Sequence, residues 1–190
     1  MLLIIMFVAT PVSHLFLNKK IAYQIIKYSD CLEIRDKTLN LNFDKEKLFH
    51  CDEDIIFKWN RSFKSELEKI IKIKKKLKLI SFQATRCCVG HKIVKGFFRL
   101  KGKVLNEKQM LQNAKKNILW LKKKIKKGTK IAVENNNYYP FPSYNIISNP
   151  QFLYNLVISN NIYFLFDYAH AKITCANRKI DLQSYIECLP

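Results

Sequence analysis

Residues 130–137 read Lys-Ile-Ala-Val-Glu-Asn-Asn-Asn, and residues 162–170 read Ile-Tyr-Phe-Leu-Phe-Asp-Tyr-Ala-His. Each is a short apolar run that ends abruptly in polar chemistry. Runs of this length, without alternation, fit strands buried on both faces of a parallel sheet. A buried strand that stops in a carboxylate is the pattern of the catalytic end of a parallel barrel. The two stretches predict neighbouring strands, with Glu134 ending one and Asp167 and His170 ending the other. Three positions separate Asp167 from His170, so both turn toward one point. Two carboxylates and an imidazole suit a divalent metal.

The same pattern extends upstream. Leu2–Ala9, Cys31–Arg35, Lys47–Cys51 and Leu79–Gln83 read as four earlier strands, with Lys130–Val133 and Ile162–Phe166 as the fifth and sixth. Amphipathic stretches lie between them. Asn18–Tyr28 is the first helix, and Ser62–Lys76 the next, with Leu67, Ile70 and Ile71 on one side. Asn106–Lys127 is the longest, with Gly128 in the residue type favoured just past a helix end. Asn149 caps a helix to about Asn160, with Pro150 at its first position. Asp181 caps a last short helix through Cys188. Ala84–Val104, which carries His91 and Gly102, reads as an irregular stretch.

Repetition of strand and helix predicts an α/β fold with a parallel sheet. The reading is one domain over residues 1–190, a (β/α)8 TIM barrel that is incomplete, with about six β-α units. A whole barrel typically takes about 250 residues. Strand seven is expected to begin where the chain stops, at Leu189-Pro190, so an interrupted gene product is the first explanation. A genuine six-stranded open sheet with exposed edges is the other.

Composition narrows the class. Apolar residues are 48% and aromatics 13%, which makes the chain globular rather than disordered. Four glycines, and neither G-x-G-x-x-G nor a P-loop, exclude the common nucleotide-phosphate loops. Lys and Arg number 34 against 15 Asp and Glu, for a net charge of +19. That charge favours either a nucleic-acid or acidic-membrane partner, or a set of solvated helix faces. Lys72–Lys78 and Lys115–Lys130 read as solvated faces, because they do not cluster near the acidic strand ends.

Six cysteines follow no repeating spacing and read as reduced thiols of a cytoplasmic protein. Cys51, Cys87 and Cys88 meeting as a soft metal site is weighed and set below that reading. Met1–Val8 is apolar but lacks a basic leader, so it reads as a buried first strand rather than a signal peptide. Nothing approaches the length of a membrane-spanning helix, and no membrane partner is expected.

Every predicted strand ends in polar chemistry. The first leads to Thr10 and His14, the second to Glu33 and Arg35, and the third to His50, Asp52 and Asp54. The fourth gives Gln83, Thr85 and Arg86, the fifth Glu134 and Asn136, and the sixth Asp167 and His170. Glu33, Arg35, Arg86 and Asn136 are candidate substrate contacts, with Arg35 or Arg86 suited to a phosphate or carboxylate. Each has a structural reading as well. Glu33 and Arg35 can pair with each other, His50 can bond a backbone carbonyl, His14 can cap a helix, and Gln83 can bridge backbone groups. For Glu134, Asp167 and His170 the functional reading is preferred, because buried carboxylates without a partner are costly.

At these residues the sequence resembles the xylose isomerase-like TIM barrels. The carrying motifs are "VENNNYY", with Glu134-Asn135, and "FLFDYAHA", with Asp167, His170 and Ala171. The stretch Asn177…Tyr185…Leu189-Pro190 resembles the segment before strand seven of that superfamily. The superfamily holds sugar and sugar-phosphate isomerases and epimerases, apurinic endonucleases, and multinuclear-iron oxidases that modify peptides. The resemblance implies metal ligation by Glu134 and Asp167. Glu134 is also the acid/base in the isomerases. His170 is implied as a metal ligand in the endonuclease-like branch and as a substrate contact among the epimerases. His50 falls where a third-strand histidine ligand occurs. The histidine of strand seven and the glutamate of strand eight have no counterpart here, which implies weak metal binding and little turnover by this chain alone.

The expected function is a divalent-metal-dependent sugar or sugar-phosphate isomerase or epimerase. Glu134 moves a proton beside Mn, Mg, Co, Zn or Fe. The alternatives are an apurinic-endonuclease-type phosphodiester hydrolase, an iron-dependent peptide oxidase, and a non-catalytic truncated remnant. The expected partner is a small-molecule substrate, with nucleic acid second and a homo-oligomer formed through the open sheet edges.

Overall fold

The structure is a computed structural model and describes residues 8–190. The elements run β1 (Ala9–Pro11), α1 (Lys19–Tyr28), β2 (Cys31–Arg35), β3 (Glu46–Asp54), α2 (Arg61–Ile73) and β4 (Leu79–Gln83). They continue with β5 (Cys88–Val94), β6 (Phe97–Val104), α3 (Glu107–Lys122), β7 (Lys130–Glu134) and α4 (Pro150–Asn160). The chain closes with β8 (Tyr163–Leu165), α5 (Tyr168–Arg178) and α6 (Leu182–Glu187). Most of the first strand expected over Leu2–Ala9 lies outside the described residues.

Six strands form one parallel sheet in the order β1-β2-β3-β4-β7-β8, curled into a half-barrel. Side chains report the curl. His50 on β3 and Glu134 on β7 flank β4, and strands two apart lie roughly 10 Å from each other in a flat sheet. Their side-chain atoms nonetheless approach to 3.4 Å.

Period-two alternation divides the sheet into two faces. Leu32, Ile34, Phe49, Cys51, Ile80, Phe82, Ile131 and Val133 are buried in the core that the helices supply with Leu67, Met110, Ile118, Leu121, Phe152 and Leu156. The inner face carries Glu33, Arg35, His50, Ser81, Gln83 and Glu134, in an order set by the registers Arg35↔His50 and His50↔Ser81. Asparagine and aspartate start the helices. Asn18, Asn60, Asn106, Asn149, Asp167 and Asp181 each accept a backbone N–H of the first turn.

Three expectations change. The stretch Ala84–Val104 is not irregular, because β5 and β6 form an antiparallel hairpin there. Its turn is Lys95-Gly96, both at positive φ (51° and 81°), the backbone a two-residue hairpin needs. The hairpin docks through Phe98, whose N–H donates to the Tyr144 hydroxyl at 2.8 Å and whose carbonyl accepts from Ser143 Oγ at 2.8 Å. The longest helix stops at Lys122 rather than Lys127. A helix not foreseen, α5, follows β8 directly, with Ala171, Thr174 and Cys175 on its buried side. Among the described residues no helix is long and apolar enough to cross a membrane.

Candidate metal centre

The C-terminal ends of β3, β4, β7 and β8 bring one row of polar side chains together. Glu134 is the last residue of β7, and its side chain is only 11% exposed. Asp167 follows β8 and caps α5, its Oδ1 accepting the His170 N–H at 2.9 Å. His170 stands one turn into that helix. Its Nδ1 lies 3.8 Å from Glu134 Oε1 and 3.7 Å from Asp167 Oδ2. One potential ligand atom each from Glu134, Asp167 and His170 falls within 4.8 Å of the others. This is the one such group of three among the described residues.

The residues fit a divalent cation on the chemistry of the donors. His170 Nδ1 is 2.7 Å from the Asn135 carbonyl. A carbonyl only accepts, so Nδ1, the nitrogen that lies near both carboxylates, carries the hydrogen, and it is Nε2 that keeps a lone pair for a metal. Asp167 spends Oδ1 on the helix cap and leaves Oδ2 facing His170. Burial pushes the Glu134 carboxyl up to about 7, against the pull of His170 and with the push of Asp167.

Asn135, passed over as a site residue, holds the group in place. It is fully buried, its Nδ2 donates to the Asp167 carbonyl at 2.8 Å, and its Oδ1 accepts the Asp167 N–H at 2.6 Å. Gln83, read as a backbone bridge, instead joins two side chains. Its amide donates to Glu134 Oε2 at 3.1 Å and meets His50 Nε2 at 2.6 Å. His50 is therefore the acceptor there, and its Nδ1 donates to Ser81 Oγ at 2.8 Å. Burial keeps this ring neutral by lowering its pKa. His50 thus borders the group of three, with its lone pair already engaged.

The remaining candidates divide. Glu33 and Arg35 pair at 2.9 Å on the inner face next to His50, and both act electrostatically on Glu134. A 470 Å³ cavity opens beside Arg35, lined also by Ser13, His14, Lys37, Thr38 and Asp52. Arg86 has a structural environment. Its Nη1 donates to buried Asp54 at 2.8 Å, and its guanidinium lies between the Phe57 and Phe98 rings at 4.9 and 5.0 Å. Asn136 is used locally: its Oδ1 accepts from the Asn137 N–H at 2.7 Å and its carbonyl from Thr174 Oγ1 at 3.2 Å. Cys51, Cys87 and Cys88 are buried free thiols, with Cys87 and Cys88 donating to backbone carbonyls.

No protein-family model matches the chain, and no curated protein matches its sequence.

Proposed function

We propose that the half-barrel is part of a TIM-type barrel and works as a divalent-metal-dependent isomerase or epimerase of a sugar or sugar phosphate. The observation that carries this reading is the double position of Glu134. It belongs to the Glu134–Asp167–His170 group through one carboxylate oxygen, while the other is held by the Gln83 amide at 3.1 Å. One oxygen is thereby placed for a metal and the other for a proton, which is the geometry a general base beside a metal needs.

Glu134, Asp167 and His170 would hold a divalent metal, which would supply Lewis acidity toward adjacent substrate oxygens. Oxygen and nitrogen donors without thiolate suit Mn, Mg, Co, Zn or Fe. Glu134 Oε2 takes a proton from a substrate carbon, and the Gln83 amide holds that oxygen in place. Arg35, with Lys37 beside it in the neighbouring cavity, offers positive charge to an anionic end of the substrate.

The test is proton exchange. The protein, stripped with a chelator and reloaded with Mn or Co, is incubated in D2O with aldoses, ketoses and their phosphates and followed by NMR. Deuterium entering a position beside the carbonyl supports the proposal. Metal binding without exchange in any of these compounds contradicts the isomerase reading.

A further inference from the structure

Two lysine runs that look like solvated helix faces in the sequence meet at the opposite end of the sheet. The physical reason is where the helices stop. α2 ends at Ile73 and α3 at Lys122, so Lys74–Lys78 and Lys123–Lys127 fall in the turns that lead into β4 and β7. Those strands are parallel neighbours, with Leu79 opposite Lys130. The pairing continues outward from the strands. Lys78 N–H donates to the Lys47 carbonyl at 2.7 Å, and Lys130 N–H donates to the Lys78 carbonyl at 2.8 Å. Lys47 and Lys78 therefore stand side by side on neighbouring segments, while Lys130 faces Leu79.

Like charges in adjacent register destabilise a sheet. Such an arrangement breaks a local folding rule, and rules are broken where function compensates. Carboxylates offset only part of the charge. Glu46 takes Lys74, Glu68 takes Lys72 and Lys124, and Asp44 reaches Lys76 at 4.0 Å. Among the described residues, Lys47, Lys75, Lys78, Lys126 and Lys127 have no carboxylate partner, and all but the half-buried Lys47 are exposed. They line two adjoining concavities of 610 and 210 Å³ that share Lys75, Leu77, Lys126 and Thr129.

We infer that this lysine cleft binds the phosphate backbone of nucleic acid. Its apolar lining is Ile71, Leu77, Ile80 and Ile125, all buried or half-buried, so no fully exposed apolar side chain stands in it to enter a bilayer. A flat anionic membrane would meet the rim alone, whereas a strand of phosphates can lie between the two lysine walls. No aromatic residue lines either concavity, so bases are not stacked. Lysines facing phosphate give affinity without sequence preference, and the affinity falls steeply with salt. This site lies at the N-terminal strand ends, away from Glu134, and does not depend on the proposed isomerase chemistry.

Fluorescence anisotropy with labelled 20-nucleotide single-stranded DNA and RNA tests the inference. About four or five neutralised phosphates give a log–log salt slope of roughly −3. The variant K75E/K78E/K126E is expected to weaken binding more than tenfold. K19E/K115E/K116E, with the same charge change on the exposed sides of α1 and α3, is expected to weaken it less than threefold. E134Q should bind as the wild type does. Equal losses in both triple variants would overturn the cleft in favour of diffuse net charge. No binding in 50 mM salt would overturn it outright. Capture by phosphatidylserine vesicles without nucleic-acid binding would overturn it in favour of a membrane surface.

Discussion

Asn135 and Asp167 grip each other across the ends of β7 and β8. The Asn135 amide donates to the Asp167 carbonyl, and its oxygen accepts the Asp167 N–H. The neighbouring Asn135 carbonyl orients His170. One residue thereby fixes two of the three candidate ligands.

Asn135→Ala leaves the half-buried Asp167 N–H without its partner, while the Asp167 carbonyl keeps the Ala171 N–H. One orphaned backbone group costs about 1–3 kcal/mol, so the variant should lose about that much in chemical denaturation. Metal affinity should fall about 10- to 100-fold in titration calorimetry, the usual effect of losing an outer-shell partner.

Asp167 serves α5 and the metal group with different oxygens. Asp167→Asn keeps a capping oxygen and removes the charge, so stability should hold while metal affinity drops sharply. Asp167→Ala removes both, and its extra cost should be about 1 kcal/mol of stability, the value of a lost N-cap. Equal stability of the two variants would contradict the division.

Glu134 makes the metal-free protein sensitive to pH. Its folded carboxyl titrates near 7, above its ordinary value of 4.5. The folded state therefore holds the proton more tightly. The stabilisation is complete below 4.5 and lost as pH rises through 7, a span of about 3 kcal/mol at most. Urea melts between pH 4.5 and 8 should show this slope in the wild type and not in Glu134→Gln. His50 runs the other way. Burial lowers its pKa from 6.5, so its contribution is present above that value and is lost as pH falls below it. His50→Gln isolates that limb.

Arg86 should matter for folding rather than for substrate. Asp54 also accepts from the Thr85 N–H and hydroxyl and is nearly sealed from solvent. Arg86→Ala strands that carboxylate and should cost about 3–5 kcal/mol. Arg86→Lys keeps the charge, loses the guanidinium's contacts with the Phe57 and Phe98 rings, and should fall between the wild type and Arg86→Ala. A variant with wild-type stability and an altered KM would contradict this placement.

The sheet was legible because its strands carry their own signal. Cys31–Arg35 and Leu79–Gln83 have the bounds read from sequence, and the apolar runs ending in Glu134 and Phe166 mark β7 and β8. That Glu134, Asp167 and His170 come together was legible because the two apolar runs are neighbours and end in or just before them. The hairpin escaped because its turn is Lys-Gly rather than the familiar Asn-Gly, although Gly96 at positive φ was a signal. α5 escaped because Asp167 and His170 were read as ligands alone, which hid the helical spacing of Ala171, Thr174 and Cys175. Asn135 and Gln83 escaped because an amide shows its role only when its partners come from another strand. The lysine cleft escaped for a related reason, since nothing in either run marks the other as its neighbour.

The central claim is that Glu134, Asp167 and His170 form one divalent-metal site. The most direct measurement is a Co(II) titration of the chelator-stripped protein, followed by visible absorption and by calorimetry. The prediction is one equivalent bound in the wild type, with binding weakened at least tenfold in each of E134Q, D167N and H170Q. Absence of binding in the wild type, or binding that all three substitutions leave unchanged, would contradict the account.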